Sequence, residues 1–510
     1  MNRIFKVIWS KVNRQFIAVG ETARSATKQR TSRKRLKPSI PSLKTPALLL
    51  GSIWAQAVLA DPIASTALPT DPHVVSGAAD FQAIENQLTI QQNTNQLITN
   101  WSSFNIGRDA SVNFIQPSAS SSALNYVQSM DPSYIFGSLT ANGQVILVNP
   151  SGIQFGSGGR FDGSSFIGST LNINQQDYLN GQLNFFNSGS AQSILNEGSL
   201  NAFANGTIAL IAPQITNLGT IISPSGNTTL LSGDRINLAL NGNKLIRYSI
   251  DQGTLNSLIE NQGAIQATEG AVILSAKGVN EVSRSVVNHS GVIEATGLST
   301  VGGKVVLEGD SINLRTATID VSGDLGGGEV YVGGGFQGKD EQIRNAYQIS
   351  FDQGSNILAN ANLNGDGGQV ILWSDNYTHA SGSIFVQGGN YFGDGGFVEI
   401  SSAKDFLFNG RVSALAFNGK VGNLLLDPTS IFVGTSSDGT ATTDARNVLS
   451  VATLNSNLDG INVSLQATQD IHLNSAFEFD GSTGDTNRTL TFDAPLIVLG
   501  ADISVASGQT

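Results

Sequence analysis

Cysteine is absent from the 510 residues, and histidine occurs only four times. Without thiols no disulfide can staple the fold, so packing and hydrogen bonds must hold it. His73, His289, His379 and His472 lie far apart, without the short spacing of a metal-binding set. Charge is scarce as well: 13% of residues are charged, about half the globular norm. No G-x-S-x-G, P-loop or H-E-x-x-H pattern occurs, so the chain reads as non-enzymatic and in need of no cofactor. Past the N-terminal leader no apolar run is long enough for a membrane helix.

The net charge of -11 hides a split. Residues 1–45 hold twelve Lys/Arg against one acid, which leaves sixteen against thirty-eight beyond, a net of -22. An acidic body repels nucleic acid and anionic lipid. The basic block belongs to an export signal: "KQRTSRKRLK" precedes the short apolar "PALLLGSIWAQAVLA", which ends in small residues. Cleavage is expected after Ala60, with Ala57 the alternative.

What is present is strand-and-turn material. Gly numbers 57, and Asn, Ser, Thr, Val, Ile and Leu fill most of the rest. Past Asp61 one theme recurs: "NEGSLNAFANGTIALIAPQI", "NLGTIISPSGNTTLLSGDRI", "NQGAIQATEGAVILSAKGV". Each unit carries Asn-x-Gly, a small apolar strand, a Gly corner and a second Ile/Leu/Val strand. Later units exchange the Asn corner for Gly clusters, as in "NLNGDGGQVILWSDNY". A unit of twenty-odd residues has no room for a crossover helix. The expected fold is therefore all-β, a right-handed parallel β-helix with an N-terminal β cap. Inward Ile, Val, Leu and Phe would stack from coil to coil, outward Asn, Thr, Ser and Gln would form polar ladders, and Gly and Asn would take the corners. Roughly twenty coils at ~4.8 Å would make a rod on the order of 100 Å. A β-sandwich array is the competitor, and it predicts hairpins every 8–12 residues.

The cap is expected within residues 70–190, where Leu88, Ile90, Leu97, Ile98, Trp101, Phe104 and Ile106 mark apolar strands and "QQDYLNGQ" a short helical turn. At the other end the pattern stops at "GADISVASGQT" without a cap, as a fragment of a longer rod would.

The stretch Trp101 to Ile173 carries "WSSFNIG", "SVNF", "IFGSLTANGQVILVNPSGIQFG" and "STLNI". It closely resembles the secretion domain of filamentous-haemagglutinin-type exoproteins, the exported partner of two-partner secretion systems. The long leader opening "MNRIFKVIWSKVNRQF" resembles their extended signal peptide, and "GNLLLDPTSI" a segment common in such exoproteins. The resemblance implies Sec export and an outer-membrane β-barrel transporter that passes the chain outward unfolded. It divides the chain into an extended signal peptide (1–60), a secretion domain (61–310) and continuing β-helix (311–510). It also implies that Asn149, Pro150, Ser151, Gly152 and Ile153 matter for secretion, either as a turn that nucleates folding or as a contact for the transporter. The second Asn-Pro element of the family corresponds here to Gln116-Pro117-Ser118-Ala119, a departure that weakens it as a contact.

The Gly-Asp-Gly-Gly turns at Asp366 and Asp394 read as corners, with calcium ligation the alternative, and Asp427-Pro428 reads as another corner. Sequons at Asn205 and Asn376 read as turn asparagines. The expected product is a secreted or surface exoprotein of a Gram-negative bacterium, an adhesin whose receptor is a glycan or a protein. The alternatives are a haem-acquisition or toxin-delivery exoprotein, and a polysaccharide-acting enzyme on the same rod.

Overall fold

A computed structural model describes residues 5–10, 15–20, 62–189, 191–437, 446–479 and 488–505. The predicted cleavage residue Ala60 lies outside them. In the leader, Phe5–Ser10 pairs antiparallel with Gln15–Gly20.

The remainder is a parallel β-helix with three strand faces. Face 1 stacks one inward residue per coil, Leu88, Val112, Leu139, Phe161, Leu200 and Ile221, then onward through isoleucines to Val412. Face 2 stacks Leu210, Leu230, Leu274, Leu307, Val332, Leu372 and Ile400. All of these side chains are buried in one continuous core. Parallel pairing in register is what a repeated apolar position at each coil dictates.

Fourteen strands succeed one another on face 2 among the described residues, from Gln96–Trp101 to Leu490–Asp493. At one rung per ~4.8 Å that spans roughly 60 Å, shorter than the twenty coils expected. The difference lies in chain spent outside the helix. Asn172–Ile173, Leu183–Phe186, Arg235–Asn241 and Lys244–Gln252 form a separate antiparallel sheet. The expected helical turn is there, as Gln175–Leu179, with the Asn174 side chain accepting from the Gln176 and Asp177 amides.

The side sheet covers the outer surface of face 2. Along that face the outward column runs Ile98, Leu124, Ile146, Ile167 and Ala209, and these pack with Phe185, Ile236, Leu238 and Leu245 into a second core. Outward residues on this face are therefore apolar and buried, contrary to the polar ladders expected. A strand buried on both sides needs a continuous apolar run, and "QVILV" at Gln144–Val148 supplies one.

The N-terminal cap is smaller than expected. Ala79–Ile84 folds back antiparallel on Gln87–Gln92, and His73–Ser76 on Gln96–Trp101. Trp101 stands edge-on to Phe81 (5.7 Å) and Phe104 (5.4 Å), plugging the first coil. From residue 104 onward the chain is already coil and side sheet.

The Asn-x-Gly corners hold the clearest surprise. Asn196, Asn217 and Asn261 are fully buried at one register position on face 3, between Phe155 below and His289 above. Asn196 Nδ2 donates to Asn217 Oδ1 (2.7 Å), Asn217 Nδ2 to Asn261 Oδ1 (2.7 Å), and Asn261 Nδ2 meets His289 Nδ1 (3.2 Å). An amide has both a donor and an acceptor, so a column of them satisfies itself inside the core. The glycine two residues on is needed because the rungs touch there: a Cβ on Gly219 would sit 2.1 Å from the Gly198 carbonyl oxygen.

Burial pushes the His289 imidazole below its ordinary value. The native chain then stays neutral while the unfolded chain gains a proton as pH falls through about 6.5, so this residue costs stability on acidification. In His289→Asn, which extends the amide column, the melting temperature should drop less than wild type between pH 7.5 and 5.0. An unchanged pH slope would show that His289 is not the cause.

Candidate functional site

The strand Ser138–Val148 crosses the corner between faces 1 and 2 and ends in the Asn-Pro-Ser-Gly turn. The Gly152 amide donates to the Asn149 carbonyl (3.1 Å), closing four residues into one turn. Pro150 presets the second position. Gly152 has φ +121°, a conformation side chains other than glycine's rarely adopt. Ile153 then enters the core on face 3.

Asn149 is fully buried. Its Nδ2 donates to the Asp131 carbonyl (3.0 Å) and to Ser133 Oγ (3.0 Å), and its Oδ1 accepts from the Ser151 amide (2.9 Å). Its backbone amide donates to the Ser169 carbonyl (3.0 Å), and the Pro150 carbonyl accepts from Gln192 (2.9 Å). One side chain thus ties the coil below to its own turn, and the turn's backbone ties on to the coil above. Only Pro150 and Ser151 keep partial exposure.

Gln116 occupies the neighbouring corner between faces 1 and 2 as a second buried amide. Its Nε2 lies within hydrogen-bonding distance of Gln92 Oε1 (3.0 Å) and the Ser121 and Gln144 carbonyls (both 3.2 Å). Its backbone exchanges bonds with Asn142. Glutamine here fills an internal slot, and the exposed Pro117 and Ser118 sit outside it.

The Gly-Asp-Gly-Gly turns are corners as read: Asp366 Oδ1 accepts from the Asp394 amide (2.7 Å), and Asp394 Oδ1 from the Lys420 amide (2.8 Å). Each carboxylate caps the next rung. Asn205 sits at φ +65°, a turn position, whereas Asn376 lies within the strand Gln369–Ala380 and not in a turn.

Sequence reading missed a second polar constellation. The segment 333–345 leaves the helix and lies along face 2. At one end Ile343 joins the second core, and Arg344 pairs with Asp310 (3.0 Å) while its amide donates to Glu308 (3.0 Å). At the other, the Gln337 amide donates to both oxygens of Glu399 (3.2 and 3.1 Å), and its side chain reaches Asp427 (3.1 Å) and Gln466 (3.2 Å). Glu399 continues the outward column that is apolar lower down, and it is fully buried. Burial raises its carboxyl to about 7. Asp427, the expected corner, is also raised by burial. The only sequence signal was an acid inside the apolar run "FVEIS".

A capped, three-faced β-helix with a side sheet over one face, preceded by a long basic leader, defines a class of exported bacterial rods. Comparison with known families places the chain. The TPS secretion domain matches residues 65–326, and the Extended Signal Peptide of Type V secretion system matches residues 1–50. This chain belongs to the two-partner secretion exoproteins. It is exported by the Sec route and is secreted or displayed across the outer membrane of a Gram-negative bacterium. The crystal structure of the HMW1 secretion domain from Haemophilus influenzae is similar over 70% of this chain and 100% of that one, at 29% identity and a TM-score of 0.57. Two heme/hemopexin-binding proteins of Haemophilus influenzae are also similar. One is 30% identical over 317 residues and the other 26% over 327, covering 59% and 58% of this chain. The chain spans about a third of their length (34% and 33%).

Proposed function

We propose that this chain is the export-directing part of an exoprotein that captures a haem carrier outside the cell. Residues 61–310 direct secretion, and the coils from 311 onward begin the rod that presents the capturing surface. The similarity to two proteins named for binding heme and hemopexin, over more than half of this chain, carries the reading. In the secretion region, the corner Asn149–Ile153 acts through folding. Its asparagine is spent on internal hydrogen bonds, so it serves to lock successive coils as they emerge.

The test is co-expression with the β-barrel partner. The full chain should reach the medium, while a chain lacking 61–310 should stay in the periplasm. The secreted protein, immobilised, should retain haem-loaded hemopexin from solution. Secretion without retention would overturn haem capture and leave adhesion to a surface receptor as the better reading.

A further inference from the structure

Before residue 295 the corners between faces 1 and 2 carry an isolated exposed ring, Phe203, and beyond it an unbroken row begins. On five successive rungs they carry exposed apolar side chains: Leu298, Leu325, Leu363, Tyr391 with Phe392, and Phe417. Their exposure runs from 43% at Leu363 to 82% at Phe417. The stacking is direct. The Leu325 amide donates to the Thr300 carbonyl (2.9 Å), Leu363 to Asp324 (3.2 Å), and Tyr391 to Leu363 (2.9 Å). Asn418 Nδ2 then donates to the Tyr391 carbonyl (2.9 Å). The result is a ridge along the rod with one apolar step per ~4.8 Å rung, roughly 20 Å in all. Aliphatic at its lower end, it becomes aromatic at its upper end. Isolated exposed hydrophobes need no explanation, but an ordered row of them does.

We propose that this ridge binds a neutral, hydroxyl-rich polysaccharide laid along the rod, one hexose per rung. Four features carry the assignment. First, Tyr391, Phe392 and Phe417 offer ring faces, the rigid amphipathic surface on which the C–H face of a hexose stacks. Second, hydrogen-bonding groups alternate with the rings. Asn390 and Asn418 have their Nδ2 groups held by the Asn362 and Tyr391 carbonyls, which leaves each amide oxygen as an acceptor for sugar hydroxyls. Third, the charge is wrong for a polyanion: these corners carry Asp324, Asp366 and Asp394 against Lys420 alone. Fourth, most amides of the three middle corners, those of Leu325, Leu363 and Tyr391 among them, are already bonded from rung to rung, which leaves an extended peptide few backbone partners there for strand addition. The aromatic end lies past residue 326, beyond the matched secretion region. The ridge therefore goes beyond the haem-carrier reading and holds or fails independently of it.

The test is calorimetry on the full secreted chain with cellohexaose, maltohexaose and heparin. At least one neutral hexaose should bind saturably and heparin should not. The double variant Tyr391→Ala/Phe417→Ala should weaken that binding about tenfold or more, the loss expected for two stacking contacts. Both side chains are exposed, so the variant should melt at the wild-type temperature. Absence of binding to every neutral oligomer, or equal affinity of the variant, overturns the proposal. So does a concentration-dependent dimer in sedimentation that Phe417→Ser abolishes, since the ridge would then be covered by a second copy. Chain shortening of the oligomer during the titration would also overturn pure binding and make the rod an enzyme.

Discussion

Asn149→Ala should destabilise the N-terminal coils by ~3 kcal/mol and reduce the chain in the medium several-fold. The magnitude follows from the bonds lost. The Asp131 carbonyl, Ser133 and the Ser151 amide each lose the partner that the fully buried Asn149 supplied, at ~1 kcal/mol apiece. Urea unfolding of the purified chain gives the first quantity and immunoblotting of culture medium the second. The two should move together. Pro150→Ala and Ser151→Ala alter the half-buried outer side of the turn, and they should leave secretion close to wild type. If instead those two variants block export while refolding stays normal, the turn is a contact for the transporter and the folding account fails.

Glu399→Gln should stabilise the rod at pH 8 by ~3 kcal/mol and at pH 5 by less than ~1 kcal/mol, a pH response opposite to that of His289. The native carboxyl titrates at about 7 and the unfolded one near its ordinary value of 4.5. Between these values the folded chain holds a proton that the unfolded chain has released. Stability from this group is thus present below the unfolded value and is lost as pH rises through 7, at ~1.4 kcal/mol per unit of difference. Glutamine keeps an acceptor for the Gln337 amide without the buried charge. Hydrogen exchange over residues 333–345 reads the effect locally. In wild type the segment should exchange faster at pH 8 than at pH 6 once the intrinsic rate is corrected, and in the variant the difference should vanish. A variant that retained it would move the cause to Asp427, also raised by burial and bonded to the same glutamine.

The β-helix was legible because its demands are local. Glycine is forced where rungs touch, and one inward aliphatic per coil is forced by stacking, so "NLGTIISPSG" and "NQGAIQATEG" betray their common register. The second layer was written just as plainly but misread. Runs such as "TIALI" and "AVILSA" do not alternate, which means burial on both sides. Expecting polar residues on their outer side hid the side sheet, and the chain that builds it was counted as coils. The buried asparagines escaped for a different reason. A lone amide in a core is costly, and only the column formed with other coils makes it affordable. The Asn149 turn was found as a corner from proline and glycine alone. Glu399 was not, because its partner Gln337 is 62 residues away in a segment with no periodicity.

The side sheet carries a consequence for the moment of delivery. Its hairpin tip reaches back across the rod: Gln144 donates to Asn243 (2.7 Å) and Asn243 to the Ala119 carbonyl (3.0 Å), 124 residues apart in sequence. Coils can wind as soon as each neighbour is outside, yet the greasy stripe of Ile146, Ile167 and their companions stays wet until the hairpin arrives. Translocation speed therefore sets how long every nascent molecule is adhesive toward its siblings. Slowing the passage should cost yield through clumping at the cell surface before it costs anything through misfolding of the rungs themselves.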